Sequence, residues 1–291
     1  MLPGWMLSTS KQLYLLWIAS VFVLPACGRP VPTSPHHMLF GDVGSHRVCS
    51  HDLDRMSASP WGPVDPTAPN FGMHAPLGWA TVPIMIHLED TVVEEQKAQI
   101  AKAIETWNDA IGFDAIEISR ESEPAWQAED GLYGRLRDKK NTIGVVSKRW
   151  GSWIGKDAQV LGTAVWDTPK EQPEAISGAD IVLNGEHFIL GDSEADLDCH
   201  SSDSCGETTD PITESDHSEI EYVLDRPREI VDLESLALHE LGHFLGLSHM
   251  SYDYDSASIM NPQLFVGQGL HKRKLSDGDV ERIRRIYANR R

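Results

Sequence analysis

The feature that most constrains this chain is residues 239–249, His-Glu-Leu-Gly-His-Phe-Leu-Gly-Leu-Ser-His. His239 and His243 are four apart, so on a helix both imidazoles share a face one turn apart, within reach of one metal ion. Glu240 is rotated around the axis, where it can reach a water at the metal without taking a ligand position. Gly246 follows the second His by three residues, and glycine tolerates the left-handed backbone that ends a helix and turns the chain back. Such a turn brings His249 to the same metal. Three neutral nitrogens with an open fourth position describe a catalytic zinc site, whereas structural sites are usually closed by four protein ligands. A helix with stray surface histidines explains one or two of these residues, but not three His, a Glu and a Gly at these offsets.

The flanking residues support a helix. Asp232 is placed as N-cap with Glu234 in the first turn. Leu233, Ala237, Leu241, Phe244 and Leu245 fall on one face, offset from the histidines. This predicts a buried stripe, with the ligand face turned to a cleft.

The stretch resembles the active-site helix of the metzincin clan, whose extended signature it matches. Met260, eleven residues after His249 in Ser258-Ile259-Met260-Asn261-Pro262, resembles the methionine of the clan's Met-turn, which lies beneath the metal. Leu275-Ser276-Asp277-Gly278-Asp279-Val280, continuing through Ile283, Ile286 and Tyr287, is similar to the C-terminal helix of matrixins. Within the clan the likeness is to bacterial matrixin-like peptidases. It implies an α+β catalytic domain with a twisted five-stranded mixed sheet, an active-site helix, a Met-turn and a C-terminal helix. It also implies Zn2+ held by His239, His243 and His249, Glu240 as catalytic base, and protein or peptide substrates. The alternative from another class is a surface-anchored metal-binding or adhesive lipoprotein with little catalysis. Retention of Glu240 argues against a relic.

The chain of 291 residues accommodates one good-sized domain with extensions. Its net charge of −19 argues against nucleic-acid binding and against a polybasic membrane patch. Lys11 precedes an apolar run over 13–26, too short for a comfortable membrane span and suited to a signal peptide covering 1–26. The run ends in Leu24-Pro25-Ala26-Cys27, which resembles a bacterial lipobox and implies a lipid anchor at Cys27; a plain signal peptide is the simpler alternative. Gly28 after the Cys implies, by the same resemblance, the outer membrane of a bacterial envelope. Residues 27–76 are rich in Pro and Gly and read as a tether or pro-like arm. Cys49 in this arm is a candidate metal cap like that of matrixin pro-segments. Its neighbours do not match the family's switch motif, and an unpaired or intermolecularly paired thiol is the simpler reading.

The catalytic domain is expected over 77–291. Its strands are placed at 82–87, 113–119, 142–147, 160–166 and 179–184, with a helix over 93–111. Ile100, Ile104, Trp107 and Ile111 form that helix's core stripe, and Gly112 stops it. By resemblance the fourth strand is the antiparallel edge above the cleft, where Gly162–Val165 offers main-chain bonds to a substrate. Residues 148–159 hold no His and only Asp157 as an acid, which does not support the structural metal sites that animal matrixins carry there. Residues 191–225 hold twelve acids and no Lys or Arg. They read as a solvated acidic insertion, with a calcium (Ca2+) loop as the sharper alternative. Cys199 and Cys205 within it are candidates for a local disulfide.

Overall fold

The computed structural model describes residues 46–49, 65–127, 136, 138, 140–195 and 228–290. Cys27, Cys199, Cys205 and most of the acidic insertion lie outside the described residues. Among those described, no helix is long and apolar enough to cross a membrane.

The strands are β1 (His46–Cys49), β2 (Gly78–Trp79), β3 (Ile84–Leu88), β4 (Ile116–Ile118), β5 (Thr142–Val146), β6 (Gly162–Asp167), β7 (Ala175–Ile176), β8 (Gly178–Asn184), β9 (Phe188–Gly191), β10 (Glu229–Asp232) and β11 (Gln263–Val266). The helices are α1 (Glu94–Ile111), a single turn α2 (Trp150–Trp153), α3 (Leu233–Phe244) and α4 (Asp277–Tyr287).

Five strands form one mixed sheet in the order β4-β3-β5-β8-β6. All its pairings are parallel except β6 with β8. Strands β5 and β8 are buried along their whole length, as central strands covered on both faces must be. Parallel neighbours need a crossover, and α1 supplies the one between β3 and β4. Glu94 and Glu95 in its first turn complement the helix dipole, and its expected stripe of Ile100, Ile104, Trp107 and Ile111 is buried. The expected fourth strand is β6, and it is the antiparallel edge of the sheet.

On one face of the sheet the main core joins α1, α3 and α4; Trp107 Nε1 donates to the Leu238 carbonyl at 2.9 Å and binds α1 to α3. A smaller cluster of Trp126, Val146, Trp150, Ile154, Val160, Val165 and Val182 covers the other face.

Two expectations need amendment. The arm was placed up to residue 76, yet Met73 and Ala75 are core residues. The reason is a local ladder: Met73 bridges Leu247 in antiparallel fashion, and Ser248 N–H donates to the Gly72 carbonyl. Helix α3 was expected to bury a stripe, but all twelve of its residues are buried. It lies in contact with α1 and the sheet, and β6 and the chain after His249 close over its polar face.

Three two-stranded ladders extend the fold: β2 with β7, β9 with β10, and β1 antiparallel to β11. In the last, Cys49 sits opposite Gln263.

Candidate metal centre

Asp232 caps α3, accepting from Ser235 N–H at 3.0 Å and Ser235 Oγ at 2.6 Å. Burial alone would raise its pKa, but bonds from Arg273, Ser235 and Ser193 together hold it below the ordinary carboxylate value. The helix ends at Phe244, and Gly246 takes a φ of 111°. A side chain there is excluded twice, by the backbone angle and because a Cβ would lie 2.7 Å from the Ala75 carbonyl oxygen. The chain then reverses and delivers His249.

His239, His243 and His249 meet as the sequence predicts. Their ligand nitrogens lie within 4.8 Å of one another, and all three side chains are buried. His239 Nδ1–H donates to the Ile259 carbonyl and His243 Nδ1–H to the Leu247 carbonyl, each at 2.8 Å. Those bonds fix both tautomers, with the proton on Nδ1 and the lone pair on Nε2 in each ring, the form that ligates a metal. The two Nε2 atoms lie 3.2 Å apart. Facing lone pairs at that distance repel unless a cation lies between them, so the donor set fits a zinc ion. Burial, followed by the nearby His243 imidazole, pushes the His239 pKa down to about 3, so this ring is neutral and ready to ligate at ordinary pH.

Met260 is fully buried directly beneath α3: a Cβ at Gly242 would overlap its sulfur. The turn carrying it is held by groups the sequence reading assigned no role. Asp279 accepts from Ser258 Oγ at 2.6 Å, Ile259 N–H at 2.9 Å and Arg282 at 2.5 Å. Lys272 Nζ donates to the Ser258 carbonyl at 2.5 Å and to Asn261 Oδ1 at 2.8 Å. Because Ile259 also accepts from His239, the bond from Asp279 reaches the first ligand through one residue. Asp279 had a local signal, since with Ser276 it forms the capping box of α4. Its contact with the turn twenty residues upstream had none.

Glu240 is fully buried and lies under β6; a Cβ at Gly162 would be 3.1 Å from its Oε1. Further along β6, Trp166 stacks on His74 at 3.8 Å between ring centroids. A cavity of about 300 Å³ opens beside the first turn of α3, lined by Ser235, Gln263, Leu264, Leu270 and Lys272 among others. Ser235 precedes His239 by one helical turn and so shares its face.

With this geometry in place, the relatives are informative. Residues 155–288 match the matrixin family model, a little under half of the chain. Metalloendoproteinase 2-MMP of Arabidopsis thaliana is 47% identical over 57 residues, which is 20% of this chain and 14% of that protein. Metalloendoproteinase 5-MMP of the same plant is 43% identical over 58 residues, 20% and 15% of the two chains. Metalloendoproteinase 1 of Glycine max is 43% identical over 56 residues, 19% and 17%. The likeness therefore spans less than a fifth of each curated relative's length. The matrixin match, the mixed five-stranded sheet and the histidine cluster agree with one another.

Proposed function

We propose that this chain is a zinc-dependent endopeptidase with His239, His243 and His249 as ligands and Glu240 as the base. The observation that carries this reading is the convergence of three buried imidazoles, with ligand nitrogens within 4.8 Å of one another, and a buried carboxylate one residue from the first of them. Zinc held there would supply Lewis acidity, lowering the pKa of a coordinated water toward about 7 and polarising a substrate carbonyl. Glu240 takes the proton of the attacking water and returns it to the leaving amine as the C–N bond breaks. The backbone of Gly162–Val165, on the sheet's edge strand, pairs with an extended peptide and sets the scissile bond over Glu240. The cavity beside Ser235 and Leu264 receives a neighbouring substrate side chain.

The test is digestion of a peptide library by the full chain. Cleavage should occur with zinc, disappear with a chelator and return when zinc is restored. A zinc-loaded protein that cleaves no peptide would leave the metal-binding lipoprotein reading in its place.

For location we propose an extracytoplasmic lipoprotein anchored at Cys27 in a bacterial envelope, on the lipobox-like Leu24-Pro25-Ala26-Cys27. Cys27→Ser should move the protein from the membrane fraction to the soluble fraction and abolish incorporation of labelled palmitate. Equal labelling of both forms would defeat the assignment.

A further inference from the structure

Between the second and third histidines the chain leaves a helix end, where carbonyl groups lose their intrahelical partners. Here each one is met. The His243 carbonyl accepts from Gly246 N–H at 2.9 Å and from His74 Nε2–H at 2.8 Å. The Phe244 carbonyl accepts from Trp79 Nε1–H at 2.7 Å, and the Leu245 carbonyl from Tyr287 Oη–H at 3.1 Å. The Gly246 carbonyl accepts from the backbone of His74 at 3.0 Å and of Ala75 at 3.2 Å.

Trp79 and Tyr287 are core residues whose burial accounts for their presence. His74 differs. It is only half-buried, its ring lies flat on Trp166 of β6, and its Nδ1 is buried without a hydrogen-bond partner. A phenyl ring would keep the stack and avoid the unfavourable orphan nitrogen, so packing alone does not account for an imidazole here. What the imidazole adds is the Nε2–H bond to the backbone of the second ligand. The residue also sits in the ladder of 72–75 against 246–248, which sets the approach of His249. Through Trp166 it touches the strand whose Gly162 lies on Glu240. One residue thus joins, by its side chain, the second ligand and the edge strand over the base and, by its backbone, the turn to the third ligand.

We infer that His74 is a positioning residue of the metal site, acting through the carbonyl of His243; this rests on the zinc reading above. His74 is outside the histidine cluster itself, so it supports the ligands without being one.

The test compares His74→Phe, which keeps the stack and loses the donor, with His74→Gln, whose amide N–H takes the place of Nε2–H. The readouts are the zinc Kd by chelator competition, the Tm of zinc-loaded and chelated protein, and kcat and KM on a cleaved peptide. His74→Phe should weaken zinc binding about 10-fold, the lower end of the effect of losing a supporting group around a metal ligand. It should narrow the Tm gap between loaded and chelated forms and lower kcat more than KM. His74→Gln should recover most of that zinc affinity. A Phe variant with wild-type zinc affinity, or one that lowers both Tm values equally, would show a packing role only and overturn the inference. A Gln variant as weak as Phe would remove the hydrogen bond from it. Wild-type protein that binds no zinc would overturn the peptidase reading itself, an outcome separate from these.

Discussion

Glu240→Gln should reduce peptide cleavage by ~10²-fold or more, the scale of losing a general base, while zinc stays near one ion per chain. On the proposed reading the two effects separate, because the clustered ligand atoms are those of His239, His243 and His249, and Glu240 is not among them. The substitution is nearly isosteric, which matters in this location. Glu240 has no solvent exposure, and a Cβ at Gly162 of the edge strand would lie only 3.1 Å from its Oε1. A larger or branched residue would move the edge strand and confound loss of the base with loss of substrate alignment. Glutamine keeps the shape and removes only the ability to accept and return a proton. It also removes an ionisable group from a buried position, so Tm should hold or rise, as is common when a catalytic group is neutralised. Kinetics on one library-derived peptide, with zinc measured by atomic spectroscopy on the same sample, decide the matter. Wild-type turnover with zinc bound would mean that another group takes the proton.

Much of this centre was legible in the sequence because its information is local. The spacing 239–243 works through the period of one helix, and Gly246 works through one backbone angle. The stripe Ile100, Ile104, Trp107 and Ile111 identified α1 for the same reason, with boundaries within a residue of those observed. The five sheet strands were found because each is an apolar run between turn signals. What escaped is whatever depends on partners far apart in the chain. Strands β2 and β7 are two residues each, too short for any periodicity, and exist because Gly78–Trp79 and Ala175–Ile176 meet. The segment around Met73 looked like part of a Pro-rich arm, since its pairing with Leu247 spans most of the catalytic domain. That same pairing brings in His74, so the residue was unreadable as a contributor. The buried polar face of α3 was missed for a related reason. A hydrophobic stripe shows which side meets the core, but not that β6 and the Met260 turn would cover the other.

His249→Ala should behave differently from Glu240→Gln, losing zinc as well as activity. His249 follows a Gly246 turn built for it, is buried, and has its ring 4.6 Å from His243 and 5.2 Å from His239 between centroids. Without it two nitrogens remain where a catalytic zinc site needs three. The loss in affinity should exceed the roughly 10–100-fold typical of removing a group that merely supports a ligand. Stability should follow by linkage, since an ion that binds only the folded state at 100 times its Kd stabilises it by about 2.7 kcal/mol. Wild-type protein should therefore melt higher with zinc than with chelator, and the Ala variant should show little or no such difference. Comparing the chelated forms isolates the packing lost with the imidazole, and the gap between loaded and chelated forms isolates the metal. Activity should fall at least as far as in Glu240→Gln, but raising free zinc should recover some of it only in the His249 variant, whose base is intact. If His249→Ala binds zinc as tightly as wild type, the third nitrogen comes from elsewhere. The turn at Gly246 would then have no role at the metal, and the matrixin-like arrangement of this centre would be wrong.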